Sequence, residues 1–229
     1  MKLLALLSGG LDSTVALAQV LSEHHEVAKA ISFYYGQTHS KEVNAAIAVA
    51  KHYRIPHSVI SLNFNHIGPT EVGQLLNFKL DAKSPSRTVK DQHGEDVSAT
   101  FVPGRNIIFL AYAGSICDSE ALQGICIGVN AVDYSGYPDC RPRFIGTMES
   151  ALSAGLRQSL RIHAPVLYDT KIGIVKKGLA LGAPLALTWS CYAGGETPCT
   201  LCPSCKIRIA AFAATDIEDP ALAPGGSEC

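Results

Sequence analysis

The sequence predicts an α/β protein, a doubly wound parallel sheet of Rossmann-like type with helices on both faces. Short apolar runs alternate along the chain with segments of helical periodicity, as they do in parallel sheets with crossover helices. The 229 residues, 47% of them hydrophobic, suffice for one ample domain with a full core. A Gly-Gly turn follows the first apolar run and opens the first helical segment, which is where doubly wound folds bind ligands.

Each predicted element has a local signal. Apolar runs predict five strands, at residues 2–8, 26–35, 57–63, 124–130 and 162–167. Amphipathic periodicity predicts six helices, at residues 13–25, 39–54, 106–123, 144–160, 169–182 and 205–214. Ile55-Pro56 ends the second of these helices, and Gly182 with Pro184 ends the fifth.

Changes in composition divide the chain into parts. We expect an α/β domain at residues 1–187, a helical segment that contains the cysteine-rich run at 188–214, and a disordered tail at 215–229. Residues 64–100 are polar and too long for a plain connection, so we expect a flap or insertion that closes over the active site.

Charge and hydropathy exclude several classes of protein. A formal net charge of −1 argues against a nucleic-acid binder, which usually carries a basic excess. There is no run of about 18 apolar residues, so we expect no transmembrane helix and no membrane partner. The apolar run after Lys2 stops at Ser8 and is too short for a signal peptide, which predicts a cytoplasmic protein whose chain begins with a buried strand.

The first loop, SGGLDS at residues 8–13, has the character of a phosphate-binding site without a lysine. Gly9 and Gly10 let a phosphate approach the backbone at a helix N-terminus, and Ser8, Ser13 and Thr14 add hydroxyl donors. The chain contains neither a Walker Gly-x-x-x-x-Gly-Lys nor a Gly-x-Gly-x-x-Gly fingerprint. An ordinary strand-to-helix turn with Ser13 as the N-cap is the alternative.

The pattern Ser-Gly-Gly-x-Asp-Ser resembles the signature of the PP-loop ATP pyrophosphatases. That resemblance implies cleavage of ATP between the α and β phosphates, with adenylation of a substrate oxygen and departure of pyrophosphate. We assign the chemical step to Ser8, Asp12 and Ser13, with Asp12 helping to hold Mg²⁺. On this assignment amides and hydroxyls cradle the departing pyrophosphate.

A cysteine-rich run near the C-terminus, CYAGGETPCTLCPSC, predicts a metal site. Its spacing, C-x7-C-x2-C-x2-C, contains two overlapping C-x2-C pairs, and four thiolates complete a tetrahedral zinc shell without an open position. We therefore predict a structural zinc ion, with an iron–sulfur cluster and a redox or persulfide relay as alternatives. The predicted ligands are Cys191, Cys199, Cys202 and Cys205.

Polar loops at the ends of predicted elements suggest a site for a flat, hydrogen-bonding base analogue. Residues 101–106 and 130–142 adjoin the same edge of the sheet as the SGGLDS loop. Arginines there suit a carboxylate or phosphate, carboxylates suit a guanine-like N–H edge, and tyrosines suit stacking on a ring. The candidates are Arg105, Arg141, Asp133, Asp139, Tyr134 and Tyr137, although each could instead be structural, as Asn106 could be only an N-cap.

Taken together, these stretches resemble the 7-cyano-7-deazaguanine synthase family of the queuosine precursor pathway. The matching stretches are LLSGGLDSTV, YGQTH, FVPGRN, IGVNAVDYSGYPDCRP, LTWSCY and the four cysteines, in family order from residue 6 to about 205. The resemblance implies an adenine nucleotide alpha hydrolase fold and a carbon–nitrogen ligase that adenylates 7-carboxy-7-deazaguanine. Ammonia then gives an amide, and a second ATP gives the nitrile.

The same resemblance implies the cofactors, the partners and the nucleotide site. It implies ATP with Mg²⁺, a structural zinc ion, ammonium as the nitrogen source, and a homodimer. The ATP site it implies comprises Leu7, Ser8, Gly9, Gly10, Leu11, Asp12, Ser13, Thr14, Val15, Ala16 and Leu17, and we add Arg105 to that site. Tyr34 stands where the family pattern has an acidic residue and Thr38 where it has a basic one, which leaves details of nucleotide binding open.

Two other functions fit parts of the sequence. A tRNA-thiolating PP-loop enzyme would use the cysteines as sulfur carriers, so that changing a cysteine would abolish activity without unfolding the protein. A nucleotide-binding regulatory module would bind ATP without turnover. Supplying ATP, ammonium and 7-carboxy-7-deazaguanine distinguishes this module from the ligase.

Overall fold

The structure is a computed structural model that describes residues 1–35, 41–64, 88–90, 93–94, 96–98, 101–132 and 137–222. Its main sheet has five parallel strands: β1 (Lys2–Leu6), β2 (Glu26–Tyr34), β3 (His57–Ser61), β6 (Gly124–Ile127) and β7 (Arg161–His163). Their spatial order is β3-β2-β1-β6-β7, and β4 (Thr88–Lys90) pairs with β5 (Asp96–Ser98) in a separate antiparallel hairpin.

Six helices accompany the sheet among the described residues, at the positions that the periodicity predicts. They are α1 (Leu11–Ser22), α2 (Lys41–His52), α3 (Arg105–Ser119), α4 (Pro142–Gly155), α5 (Lys171–Ala180) and α6 (Pro203–Ala213). Two short 3-10 turns occupy Pro138–Cys140 and Leu185–Leu187. Among the residues that the structure describes, no helix is long and apolar enough to cross a membrane.

The alternation of side chains along β1 explains why both faces of the sheet are covered. Leu3, Ala5 and Leu7 pack into one core with apolar residues of α1, α2, α5 and α6. Leu4 and Leu6 point to the opposite face and pack with apolar residues of α3 and α4. A strand buried on both faces must be apolar throughout, as the run LLALL is. The predicted α/β class with a doubly wound parallel sheet is therefore confirmed.

The strand order places a ligand crevice beside β1. The chain runs from β1 to β2 and β3 on one side, and later continues with β6 and β7 on the other. The loops after β1 and β6 therefore diverge at the carboxyl edge of the sheet, and ligands bind at this switch point in open α/β sheets. The SGGLDS loop lies at this point.

One prediction of disorder is wrong for part of its range. Residues 215–222, expected to be a disordered tail, include the buried Asp219, which forms an ion pair with the buried Arg208 of α6. The Pro- and Gly-containing composition gave no sign of this long-range partner. Residues 223–229 and most of the predicted flap at 64–100 lie outside the described residues, although the β4–β5 hairpin belongs to the latter segment.

Candidate active site

The SGGLDS loop is held closed by its own hydroxyl groups. The Ser8 and Ser13 hydroxyls lie 3.0 Å apart, and the Ser13 hydroxyl donates to the Gly10 carbonyl at 3.2 Å. The Ser8 backbone amide donates to the Ser13 hydroxyl at 3.2 Å, and the Gly10 amide donates to the Ser8 hydroxyl. Gly10 is the N-cap of α1. The alternative with Ser13 as the N-cap is therefore wrong, and Ser13 instead braces the loop.

Two glycines allow the close contacts that form the loop. Gly9 has a φ of +81°, and a methyl group on it would lie 2.1 Å from the Glu42 carbonyl oxygen of α2. Gly128 follows β6, and a methyl group there would lie 2.4 Å from the Cα atom of Ser13. Real side-chain carbons do not approach backbone atoms this closely. The loop is thus pressed between the start of α2 and the end of β6.

The carboxylate of Asp12 has a basic partner. The Nζ atom of Lys171, the first residue of α5, lies 2.7 Å from each of the two Asp12 carboxylate oxygens. The exposed fractions of the two side chains are 21% for Lys171 and 24% for Asp12, so the pair lies at the surface of the crevice. The SGGLDS loop contains no lysine of its own, but the fold places the Lys171 ammonium against it.

Much of the predicted nucleotide segment is structural. Leu7, Leu11, Val15, Ala16 and Leu17 belong to the core on one face of the sheet. Thr14 is fully buried, and its hydroxyl has no hydrogen-bond partner among the described residues, so it does not supply the donor that we expected at the loop surface. Packing on more than one side explains this, because α1 lies against the sheet and also against α5, so that most of its residues are buried. The accessible part of the segment is Ser8, Gly10 and Asp12.

Arg105 lies at the same carboxyl edge, among aromatic rings. It is the first residue of α3, its guanidinium donates to the Tyr35 hydroxyl at 3.3 Å, and it lies 5.7 Å from the centre of the Tyr137 ring. Burial opposes its charge, but Tyr35, Tyr137 and Asp139 together raise the pKa of Arg105. The site therefore contains a fixed cation beside two tyrosines, of which Tyr137 is a predicted substrate residue.

Asp139 is part of the scaffold of the site. It is only 4% exposed and accepts a hydrogen bond from the backbone amide of Asn106, in the first turn of α3, at 2.9 Å. The Asn106 side chain donates in return to the Asp139 carbonyl at 3.0 Å. Burial raises the pKa of Asp139, while the Asn106 amide and Arg105 oppose the rise. The Asp139 carboxylate is thus fixed on the first turn of α3, and its contact with the substrate stays a prediction. The N-cap of α3 is Gly104, and not Asn106.

Glu42 and Tyr192 complete the described part of the cleft. Burial raises the pKa of the half-buried Glu42, and Arg105 opposes the rise. Burial also raises the pKa of Tyr192, although 44% of this residue remains exposed, and nearby Tyr137 and Glu42 add to the rise. Tyr192 therefore lies near Tyr137 and Glu42 and is partly exposed to solvent. Glu42 and Tyr192 were not predicted as site residues.

The remaining candidates fall into two groups. Asp133 and Tyr134 lie outside the described residues, and so do residues 36–39 of the YGQTH motif, which include Thr38. Arg141 is half-buried and is the N-cap of α4, directly after the buried Cys140. Tyr34 is 41% exposed at the end of β2. For Asp133, Tyr134 and Arg141 the assignment to the substrate stays a prediction.

The four cysteines converge as their spacing predicts. Their sulfur atoms all lie within 4.8 Å of one another, and those of Cys199 and Cys205 are 4.0 Å apart. A tetrahedral zinc ion with Zn–S bonds of about 2.3 Å separates its sulfur ligands by about 3.8 Å, so the cluster fits this ion. The sulfurs accept backbone N–H bonds, for example from Cys202 to Cys199 and from Cys205 to Cys202.

The chemistry of these thiols also suits a metal. Burial opposes ionisation of Cys199, but the Cys202 and Leu201 backbone amides bring its pKa down to about 7. Burial instead raises the pKa values of Cys191 and Cys205. Several thiolates packed together without a cation would repel one another strongly. A bound divalent ion would remove this repulsion. The set of four thiol donors therefore favours a metal site over a disulfide relay.

Hydrogen bonds connect the cysteine cluster to the SGGLDS loop. The Trp189 backbone amide donates to the Gly9 carbonyl at 2.9 Å, and the Trp189 indole donates to the Cys191 carbonyl at 2.8 Å. The guanidinium of Arg208 donates to the Thr188 hydroxyl at 2.6 Å and holds Asp219 through both carboxylate oxygens. Residues 188–191 therefore connect the cluster and the end of the described chain to the loop.

Comparisons with known proteins agree with this arrangement. The family described as "Queuosine biosynthesis protein QueC" matches residues 2–216. A 7-cyano-7-deazaguanine synthase from Thermoplasma acidophilum is 43% identical over 96% of this chain and 90% of its own length. A protein of the same name from Nostoc sp. is 41% identical over 96% of each chain. Both similarities span the α/β body together with the cysteine cluster.

Proposed function

The chain belongs to the QueC family of queuosine biosynthesis proteins, and we propose that it is an ATP-dependent ligase that converts 7-carboxy-7-deazaguanine and ammonia to 7-cyano-7-deazaguanine. The family match over residues 2–216 carries this proposal. The position of the SGGLDS loop at the switch point of the sheet supports it, because the chemistry requires a site for ATP phosphates there.

The reaction proceeds by two adenylations. A carboxylate oxygen of the substrate attacks the α phosphorus of ATP, and pyrophosphate leaves. Ammonia then displaces AMP from the acyl adenylate and gives the amide. A second ATP adenylates the amide oxygen, and loss of AMP with a proton leaves the nitrile. Adenylation turns a poor acyl donor into a good one, so the protein needs no side-chain nucleophile.

The loop residues contribute by binding and orientation. The accessible amides at the start of α1 donate to the leaving pyrophosphate, while the Ser13 hydroxyl maintains the loop shape. The Ser8 hydroxyl adds a further donor when it turns from Ser13 to the pyrophosphate. Asp12 offers carboxylate oxygens for a Mg²⁺ ion that accompanies ATP. Holding the substrate carboxylate in line with the α phosphorus lowers the barrier further, because the reacting atoms are already positioned.

The cleft around Arg105 suits the deazaguanine. Arg105 offers a guanidinium fork for the substrate carboxylate or for the α phosphate, and Tyr137 and Tyr192 offer rings for stacking. Glu42 offers an acceptor for a guanine-like N–H group. Asp133, Tyr134 and Arg141 are further proposed substrate residues, because their side chains suit a guanine-like N–H edge, a stacked ring and a carboxylate.

The cysteine cluster would hold a structural zinc ion. Bound there, the ion would cross-link residues 191–205 through four thiolates and leave no position for a reacting water. The role of this segment in the reaction is to hold the Gly9 carbonyl through Trp189. The homodimer that the resemblance implies is checked by light scattering of the purified protein.

Incubation of the purified protein with ATP, Mg²⁺, ammonium and 7-carboxy-7-deazaguanine tests the proposal. We expect AMP and pyrophosphate to form at two equivalents each per nitrile, with the amide as a transient species in mass spectra. Omission of ammonium should arrest the reaction at the adenylate. Absence of both AMP and nitrile in the complete mixture would refute the ligase function.

A further inference from the structure

The ion pair between Asp12 and Lys171 joins residues that are 159 positions apart in the chain. Asp12 lies in the first turn of α1, and Lys171 is the first residue of α5. The two helices pack closely, since a methyl group on Gly178 of α5 would lie 2.8 Å from the Val15 side chain of α1. The fold therefore brings two helix N-termini and this ion pair together at one end of the crevice.

A lysine at this position in a helix needs a reason. The N-terminus of a helix carries a partial positive charge, so an ammonium group in the first turn is electrostatically unfavourable. Thr170 already caps α5 by accepting from the Gly173 amide at 3.1 Å, so Lys171 has no capping role. Its position becomes favourable only when an anion lies beside it. Asp12 is that anion in the structure described here.

The charge balance changes when a nucleotide binds. The SGGLDS loop supplies amides and hydroxyls but no cation, whereas the leaving pyrophosphate carries several negative charges. Mg²⁺ prefers carboxylate and phosphate oxygens, and Asp12 is the carboxylate on this loop. Once a Mg²⁺ ion binds Asp12, the Lys171 ammonium loses its partner and lies within reach of the same phosphates. An ammonium with three donors is well suited to an oxygen-rich polyphosphate.

We propose that Lys171 is the phosphate-binding cation of this site, held by Asp12 in the empty protein and transferred to the phosphates when Mg²⁺–ATP binds. The proposal rests on the proposed function, since it assumes that the loop binds ATP. It assigns to α5 the charge that phosphate loops of the Walker type carry within their own sequence. The exchange involves no covalent step, because the ion pairs change partners and no proton moves.

The helix that carries Lys171 also supplies a matched control. Lys177, six residues further along α5, forms an ion pair of the same kind with Asp169, at 2.5 Å and with similar exposure. Lys177→Met therefore removes a comparable ion pair from the same helix without removing a charge from the loop. Lys171→Gln serves beside Lys171→Met, since the amide can still donate to Asp12 and so preserves the fold while removing the charge.

Calorimetric titration with α,β-methylene-ATP and Mg²⁺ tests the proposal without turnover. We expect Lys171→Met and Lys171→Gln to bind this analogue about ten- to hundred-fold more weakly than wild type, as for a lost charge-assisted hydrogen bond. Lys177→Met should stay within about two-fold of wild type. If both Lys171 variants fold and bind as tightly as Lys177→Met, the proposal is overturned.

Asp12→Asn provides a second test that a purely structural ion pair would not pass. In a metal-free buffer with a chelator, this variant should bind inorganic pyrophosphate several-fold more tightly than wild type, because the ammonium is no longer occupied. The double variant Asp12→Asn, Lys171→Met should lose that gain. With Mg²⁺ present, Asp12→Asn should bind the ATP analogue more weakly. Equal pyrophosphate affinity of wild type and Asp12→Asn without metal would contradict the exchange.

These results separate the inference from the proposed function. If wild type binds α,β-methylene-ATP but forms no nitrile, the ligase function fails while the variants still decide the role of Lys171. If wild type forms the nitrile and the Lys171 variants match Lys177→Met in affinity, the ligase function stands and the inference is overturned.

Discussion

Gly128 is the position at which the structure makes its sharpest steric prediction. A methyl group there would lie 2.4 Å from the Cα atom and 2.5 Å from the amide nitrogen of Ser13, and 2.8 Å from the carbonyl carbon of Asp12. All three are backbone atoms in the first turn of α1. No rotamer change can relieve the overlap, so Gly128→Ala must move the loop and the start of α1 away from β6.

The size of that movement follows from ordinary contact distances. Non-bonded carbon atoms rest about 3.5–4.0 Å apart, so the backbone must shift by about 1 Å. Overpacking of this kind costs about 1–3 kcal/mol of stability. A displacement of about 1 Å in a positioning element lowers a rate by roughly a hundred-fold. We therefore expect Gly128→Ala to damage catalysis more severely than folding.

Two measurements check this expectation. Urea unfolding gives the loss of stability, and exchange of labelled pyrophosphate into ATP, with 7-carboxy-7-deazaguanine present, gives the rate of the first adenylation. Gly146→Ala is the control, because Gly146 lies in α4 with nothing within 4 Å of the added methyl group. It should raise stability by about 0.5–1 kcal/mol and leave exchange unchanged. Wild-type stability and exchange in Gly128→Ala would refute the close contact between β6 and α1.

Three further changes test other parts of the molecule. Asp219→Ala should lower the free energy of unfolding, measured in urea, by about 3–5 kcal/mol, because it leaves the buried Arg208 without its partner. The control is Glu120→Ala, which breaks the more exposed pair with Lys29 and should cost less than about 1 kcal/mol. Equal costs for the two variants would contradict the argument. Cys202→Ser should lower the zinc content measured by atomic emission and destabilise the fold, whereas a full zinc complement with lost activity would favour a sulfur-carrier role. Burial, with His25 and Arg161, lowers the pKa of His163 below its ordinary 6.5, so the unfolded chain binds the extra proton more readily. The stabilising contribution of neutral His163 is therefore present above pH 6.5 and lost as the pH falls through its lower folded pKa. His163→Gln should flatten the decline in unfolding free energy that begins as the pH falls below 6.5, and an unchanged slope would show that other groups cause it.

The sheet and the cysteine cluster could be predicted because their signals are local. The apolar run of β1 and the glycines after it lie within ten residues, and Cys199, Cys202 and Cys205 lie within seven. The charge partner of Asp12 could not be predicted in this way. Lys171 lies 159 residues away, in a stretch that reads only as an amphipathic helix, and the helix packing alone brings it to the loop.

Asp139 and Asp219 are two further residues whose hydrogen-bond partners could not be predicted from the sequence. Both stand in polar stretches, which predicted a ligand contact for Asp139 and disorder around Asp219. In the structure both carboxylates are buried. Asp139 accepts a hydrogen bond from the Asn106 amide, and Asp219 accepts one from the Arg208 guanidinium. Composition indicates that a segment is polar, but not whether a distant donor removes its carboxylate from water.

The link between the cysteine cluster and the loop would give a zinc ion bound by the cluster a consequence for nucleotide binding. The Gly9 carbonyl accepts from Trp189, and the Trp189 indole is in turn fixed on the Cys191 carbonyl beside the first ligand. The Lys41 ammonium, 5.6 Å from the centre of the Trp189 ring, connects the start of α2 to the same point. A metal ion that binds the four thiolates would also fix Cys191, so metal binding would be coupled to the geometry of the loop. Partial removal of zinc should therefore weaken binding of Mg²⁺ and α,β-methylene-ATP before the main sheet unfolds. Calorimetry and far-ultraviolet circular dichroism, followed together during titration with a chelator, measure the two events. Simultaneous loss of both signals would show that the cluster supports the whole fold, and not the loop in particular.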